Sequence, residues 1–299
     1  MGVNEAATAP APYDVASPLR QSAAVVFASP HSGQHYPEEL MAATDLTELS
    51  LRRSSDNFVD QIFAAAPSHG APLLRANFAR AYLDLNREPW ELDPQMFTTD
   101  LPEHVNTTSL RVAGGLGTIP RLAADGREIY RDRLDFEAVR QRLNRAYFPY
   151  HHCLARMLED TQLAFGYCLL IDCHSMPSSA GSTNGAFGTG QRADIVLGDR
   201  FGTACAPELI DCAHHTLSGL GLRVQRNNPY AGGFTTYHYG RPASGVHALQ
   251  IEINRRLYMD EDQVIALPGM DRIREAMTTL IDAICRLPAG HFKQQQAAE

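Results

Sequence analysis

The sequence predicts a single α/β domain of three layers, a mostly parallel central sheet flanked by helices. Two observations predict it. Three near-continuous apolar runs, AVVFASPH (24–31), GYCLLIDCHS (166–175) and GVHALQIEIN (245–254), have the composition of strands buried on both faces. Between and after them lie stretches of helical periodicity, the clearest at 135–164, where Phe136, Val139, Leu143, Ala146 and Tyr147 form a one-sided apolar stripe. Strands alternating with helices imply a parallel sheet covered on both sides.

Taken in order, residues 1–20 are Ala/Pro-rich and are expected to form a loosely ordered arm. The run 24–31 is a strand ending at Pro30 and His31. Leu49–Ala66 carries Phe58, Ile62 and Ala65 at helical spacing, with Ser54, Ser55 and Asp56 able to lie at a turn within it. APLLRANF and ARAYLDLN (71–86) read as strands. The Pro-, Gly- and Thr-rich stretch 87–127 reads as a long surface excursion, and loops of that length are often functional. After the helix at 135–164 and the strand at 166–175, a Gly/Ser loop (177–192) leads to the strand ADIVLG. A helix near 203–218, a strand near 222–226, a loop over PYAGGFTTYHYGRP, the strand 245–254 and a helix at 268–286 complete the pattern. With no repeat and no linker, one domain over 21–290 follows, with a polar tail at 291–299.

The chain has 299 residues, 44% hydrophobic and 20% charged, enough to bury a full core without disulfide staples. Its six cysteines show no CxxC spacing and read as reduced core residues. The first twenty residues lack the basic start and apolar run of a signal peptide, and no run of about 18 apolar residues suggests a span. The expectation is a cytoplasmic protein. A net charge of −8 argues against nucleic acid or acidic membranes as partners. An anionic small molecule would have to be held by local arginines.

The chemistry-bearing residues sit where the strands end: His31 after the first run, His174 in the second, Glu252 in the third. Ligands of open α/β sheets bind outside the carboxyl ends of the strands, so these three converge despite their separation in sequence. Histidine and carboxylate ligands with one open position are the arrangement of a catalytic zinc. A carboxylate outside the metal shell then serves as general base. Alternatively, each histidine is a hydrogen-bonded structural residue. Glu252 is harder to explain that way, because an unpaired carboxylate in an apolar strand costs several kcal/mol. Arg80, Asp84, Asn86 and Arg87 in ARAYLDLNRE suit an anionic ligand, since arginine forks carboxylates and asparagine adds a directed donor. A surface ion pair, Asp84 with Arg80, is the alternative. A Ser175–His174 nucleophile is disfavoured because neighbours in a strand point to opposite faces. There is no GxSxG elbow and no phosphate-binding glycine loop. The pairs His151–His152 and His214–His215 lie on helices, where adjacent residues diverge, and are expected to be exposed.

Read together, SPHSG with Tyr36-Pro37, Asp56 in RRSSDNFVD, YLDLNREP, IDCHS, PYAGGFTTYHYG and QIEINRRLYM run in order from 29 to 259. This series resembles the N-formylglutamate amidohydrolase family over most of the chain. The resemblance implies a phosphorylase/hydrolase-like fold, shared with zinc carboxypeptidases and aspartoacylases. It also implies hydrolysis of N-formyl-L-glutamate to formate and L-glutamate, late in histidine degradation. By motif, His31 and His174 would bind Zn2+ and Glu252 would be the general base. Asn86 and Arg87 resemble the carboxylate-binding pair of the related carboxypeptidases, with Arg80 beside them. Those peptidases use His-x-x-Glu, but the residue three after His31 is Gln34. Asp56 is the preferred third ligand and His35 the reserve. Gly232 and Gly233 would let the loop PYAGGF close over the substrate. An aspartoacylase-like deacylase or carboxypeptidase with another N-acyl acidic substrate, and a non-catalytic binding protein, are the rival readings. Oligomeric state is not legible.

Overall fold

The structure, a computed structural model, describes residues 10–180 and 192–293. Seven strands form one sheet: β1 (Tyr13–Ala16), β2 (Val25–Ser29), β3 (Leu73–Ala76), β4 (Cys168–Met176), β5 (Ile195–Gly198), β6 (Val224–Arg226) and β7 (Val246–Asn254), in the order β1-β3-β2-β4-β7-β5-β6. β3, β2, β4 and β7 run parallel, as do β5 and β6; β1 pairs antiparallel with β3, and β5 with β7. The helices are α1 (Glu38–Ala42), α2 (Glu48–Arg52), α3 (Val59–Ile62), α4 (Leu110–Ala113), α5 (Phe136–Arg142), α6 (Phe148–Phe165), α7 (Pro207–Gly219), α8 (Phe234–Tyr239) and α9 (Gly269–Cys285). Among the described residues, no helix is long and apolar enough to cross a membrane.

Alternation along the central strands builds the layers. Val25 and Phe27 of β2 and Leu169, Ile171 and Cys173 of β4 join a core with Val59, Leu209, Ile273 and Leu280 from α3, α7 and α9. Val26, Ala28, Cys168 and Leu170 point the other way, into a core with Val139, Leu154 and Leu158 from α5 and α6. Both faces are therefore apolar, which is why the strands read as unbroken hydrophobic runs. All six cysteines are free thiols, three of them buried.

Several segments differ from the sequence expectation. Within the arm, Pro12 accepts from Asn77 N and residues 13–16 pair with β3, so an edge strand stands where loose chain was expected; residues 1–9 lie outside the described residues. The helix expected over Leu49–Ala66 is interrupted: α2 and α3 are separate and Asp56 lies on the turn between them, its N–H donating to His31 O at 3.0 Å. Only the first of the two strands expected over 71–86 forms. ARAYLDLN is a series of turns, because Asp84 N donates to Thr118 O of the excursion rather than to a sheet neighbour. The helix at 135–164 contains a π-helical stretch, Leu143–Tyr147, between α5 and α6. PYAGGFTTYHYGRP is not all loop, since Phe234–Tyr239 is helical. Threonine and aromatic residues are weak helix formers, and this helix has its Thr235 N–H capped from afar by Asn86 Oδ1 at 2.7 Å. At the other end, Phe292 is fully buried and stacks on Tyr167, so the tail is docked at its start; residues 294–299 lie outside the described residues, as does most of the Gly/Ser loop at 177–192.

Candidate active site

The site grows out of the alternation that builds the core. On β4, the positions facing α6 run Cys168, Leu170, Asp172, His174; on β7 they run Ala248, Gln250, Glu252. The apolar side chains stop and the polar ones begin towards the carboxyl ends of the strands. In register, Asp172 lies opposite Gln250 and His174 opposite Glu252. His31 follows the end of β2, next to β4, and Asp56 is delivered by the turn bonded to the His31 carbonyl.

His31, Asp56 and His174 are all buried and can each turn one ligand atom to a common point, these atoms lying within 4.8 Å of one another. Asp56 Oδ2 is 3.2 Å from His31 Nδ1 and 3.0 Å from His174 Nδ1. His31 is held at its far nitrogen by Asp84, Nε2 to Oδ1 at 2.8 Å; His174 Nε2 lies 2.9 Å from Asp172 Oδ1 as a charge contact, without hydrogen-bond geometry. A proton placed on His31 Nε2 leaves its Nδ1 lone pair free for a cation, the arrangement that accompanies metal-bound histidines. Asn86 Nδ2 also lies 2.9 Å from His174 Nε2 and donates when that nitrogen is bare. The remaining oxygen of Asp56 accepts from Ser175 Oγ at 3.1 Å and Arg255 Nη2 at 3.0 Å.

The electrostatics favour positive charge at this point. Burial opposes ionisation of Asp56, but hydrogen bonds and charge from His174 and His31 outweigh it and hold the carboxyl well below its usual range. Burial likewise opposes a charged His174, yet Asp172 and Asp56 hold that ring well above the ordinary histidine value. A pocket that stabilises an imidazolium between two carboxylates also accommodates a metal cation, and the donor set fits one.

Glu252 stands beside this group without belonging to it. Its Oε1 accepts from Gln250 Nε2 at 2.9 Å, and Gln250 Oε1 accepts from Gly233 N at 2.7 Å. Burial, partly countered by His174, pushes the Glu252 carboxyl up to about 7. His31, Asp56, Asp84, His174, Gln250 and Glu252 line a cavity of about 480 Å³ together with Arg80, Asn86, Arg87, Arg111, Gly232 and Gly233.

The remaining expected residues are placed as follows. Arg80 donates through Nε to Asp84 Oδ2 at 3.0 Å and is its partner, as the ion-pair alternative had it, yet also lines the cavity. Arg87 donates to the carbonyls of Leu116 and Asn86, at 2.8 Å each. Asn86 is engaged within the protein, with Asp172 Oδ2 3.3 Å from its Nδ2 and Thr235 N on its Oδ1. Gly233 is where that amide needs room: a Cβ there would come within 2.5 Å of Asn86 Nδ2. Gly232 has a φ of +121°, a conformation that L side chains rarely adopt. His35 packs edge-on against Phe78 and takes no part in the metal group. Ser175 donates to Asp56 instead of contacting a histidine.

Sequence reasoning passed over Gln250 and Arg255 and placed His151 on an exposed face. His151 is buried, with Nε2 2.9 Å from Leu85 O and Nδ1 2.9 Å from Tyr239 OH. Burial drives its pKa down to about 3. The polar residue at Gln250, two before Glu252 in an apolar strand, was the available signal for one of these. Nothing local marks Arg255 or His151.

The fold and the site define a class: an α/β domain with a buried group able to hold a metal ion at the carboxyl edge of its parallel sheet and a further buried carboxylate beside it. A family model for N-formylglutamate amidohydrolase matches residues 23–259, and the chain belongs to that family. It is 28% identical over 256 residues to the N-formylglutamate deformylase of Pseudomonas aeruginosa, covering 85% of this chain and 88% of that protein. The N-formylglutamate deformylase of Pseudomonas putida is 27% identical over 246 residues, covering 80% and 83%. The crystal structure of N-formylglutamate amidohydrolase from Ralstonia eutropha JMP134 superposes with a TM-score of 0.86 at 34% identity, over 92% of this chain and 98% of that one. A gene product of Agrobacterium tumefaciens, at 18% identity and a TM-score of 0.65 over 91% and 94%, shares the fold.

Proposed function

We propose that this chain hydrolyses N-formyl-L-glutamate to formate and L-glutamate, with Zn2+ held by His31, Asp56 and His174. The observation that carries the reading is the pairing of His174 with Glu252 in register on β4 and β7. It sets a buried carboxylate beside the metal group while leaving it out of that group. Two histidines and one carboxylate suit zinc, which supplies Lewis acidity towards water and the formyl carbonyl when bound.

In this reading Glu252 takes the proton of the attacking water and returns it to the leaving nitrogen, one group acting as base and then acid. Gln250 fixes the rotamer of Glu252 through Oε1, leaving the second oxygen for the water. Asp84 sets the His31 tautomer, and Asp172 places negative charge beside His174. Arg80 and Arg87 give the cavity positive charge that draws in an anionic substrate, and positioning it lowers the entropic part of the barrier. Asn86 contributes by positioning His174 and capping α8. Gly232 and Gly233 form the wall opposite, close enough to bring α8 against Asn86.

The test is elemental analysis of the purified protein paired with formate release from N-formyl-L-glutamate before and after chelation. About one zinc per chain and chelator-sensitive formate release are expected. Zinc without formate release would move the substrate to another N-acyl amino acid. Absence of both metal and turnover after zinc is restored would leave a ligand-binding protein.

A further inference from the structure

Arginines crowd the cavity of a chain whose net charge is −8. Most are committed. Arg80 has Nε on Asp84, Arg87 holds two carbonyls, Arg53 donates to Asp262 O, and Arg255 braces Asp56. Arg111 differs. It lies on α4, its half-buried side chain lines the cavity, and among the described residues its guanidinium makes no hydrogen bond or ion pair.

The backbone of Arg111 is nonetheless fixed. Ser109 caps α4 by accepting from Val112 N at 3.0 Å. Arg111 O accepts from Leu116 N at 2.8 Å, and Leu116 O accepts from Arg87 Nε at 2.8 Å. Arg111 is thus tied to Arg87 through one residue, and like charge is concentrated there. Burial lowers the Arg87 pKa, Asp84 opposes that, and the charges of Arg80 and Arg111 lower it further. A cation held beside other cations without a partner is a site prepared for an anion. The same excursion supplies an apolar wall from Leu116, Leu122, Ala123 and Ile129, suited to methylene groups.

We propose that Arg111 receives the side-chain carboxylate of the substrate and so determines the preference for a dicarboxylate N-acyl amino acid over its neutral analogue. This rests on the substrate reading above. The α-carboxylate is bonded to the carbon that bears the scissile amide and must stay near the metal group. Arg255 touches the metal group directly but is spent on Asp56 and Ser175, and Arg80 reaches the group through Asp84 to His31. The side-chain carboxylate lies two methylenes further out, and Arg111 lines the same cavity as the apolar wall, bonded through its carbonyl to Leu116 of that wall.

The experiment measures calorimetric binding of L-glutamate and L-glutamine to the zinc-loaded protein. Alongside it, kcat/KM is measured for N-formyl-L-glutamate and N-formyl-L-glutamine. Wild type is expected to favour the dicarboxylate in both assays. Arg111→Gln should reduce the glutamate-over-glutamine ratio by about 10- to 100-fold, the worth of one charge-assisted contact. The loss should fall on KM, and Arg111→Lys should restore part of it. Arg111→Met, checked by thermal melting, is a second neutral variant should the first fail to fold. A ratio unchanged in the neutral variants, or no preference in wild type, overturns the assignment. Wild type that shows the Arg111-dependent binding preference but releases no formate would sink the deformylase reading and leave Arg111 as the dicarboxylate determinant.

Discussion

Asp84→Asn is the most informative single change behind the candidate metal group, because four neighbours meet the Asp84 carboxylate. Its Oδ1 accepts from His31 Nε2 at 2.8 Å and from Asn86 N at 2.9 Å; its Oδ2 accepts from Arg80 Nε at 3.0 Å and lies 3.6 Å from Arg87 Nη2. Charges from Arg87, Arg80 and His31 overcome the burial that opposes ionisation, and its carboxyl stays well below the ordinary range. Asp84→Asn keeps the shape but replaces one acceptor with an NH2 group. Whichever way the amide turns, a donor then faces either the His31 proton or Arg80 Nε. Two effects follow, with separate readouts. Loss of the carboxylate behind a metal-bound histidine typically costs 10- to 100-fold in metal affinity, about 1.4–2.8 kcal/mol. Removing the anion from two largely buried arginines destabilises the metal-free fold, by roughly 3 kcal/mol where one partner of a buried pair is lost. Competition against a chromogenic chelator reads the first, and denaturant melts of the chelated protein read the second. Wild-type zinc affinity in a variant that still binds in the same site would refute the tautomer role. An unchanged melt would refute the claim that the arginines depend on Asp84.

Glu252→Gln should retain zinc but lose turnover by a factor of at least about 10²; near-normal kcat in a metal-replete variant would remove the general-base role. Arg87→Ala should raise KM more than it lowers kcat, since its charge at the cavity favours an anionic ground state and transition state alike; unaltered steady-state kinetics would take it out of the site. His151 carries a pH dependence of stability. Its folded pKa, about 3, lies below the value of about 6.5 in unfolded chains, so as pH falls through 6.5 the unfolded state gains the proton first and stability is lost down to the folded value. Between pH 7 and pH 5 wild type should lose roughly 2 kcal/mol more than His151→Gln. Parallel stability curves for the two proteins would show that His151 does not titrate this way.

What the sequence determined by itself were the elements whose environment is written in local composition. β2, β4 and β7 are buried on both faces, so their apolar runs mark them directly, and the ends of those runs expose His31, His174 and Glu252. The amphipathic stripe of 135–164 and the C-terminal helix were legible for the same reason, although the π-helical stretch was not. Tertiary structure decided the rest, because the deciding partners are distant in sequence. ARAYLDLN has strand composition but meets the excursion at Thr118 instead of a sheet edge, and α8 is capped by Asn86. His151 is buried because Leu85 O and Tyr239 satisfy both of its nitrogens, contacts separated from it by 66 and 88 residues. Asp56 comes beside His31 and His174 across 25 and 118 residues, carried there by a turn whose Asp56 N–H is bonded to His31 O. Hydrophobic periodicity is a property of neighbours along the chain, whereas the polarity of a binding site depends on which groups remain unpaired once every other contact has formed.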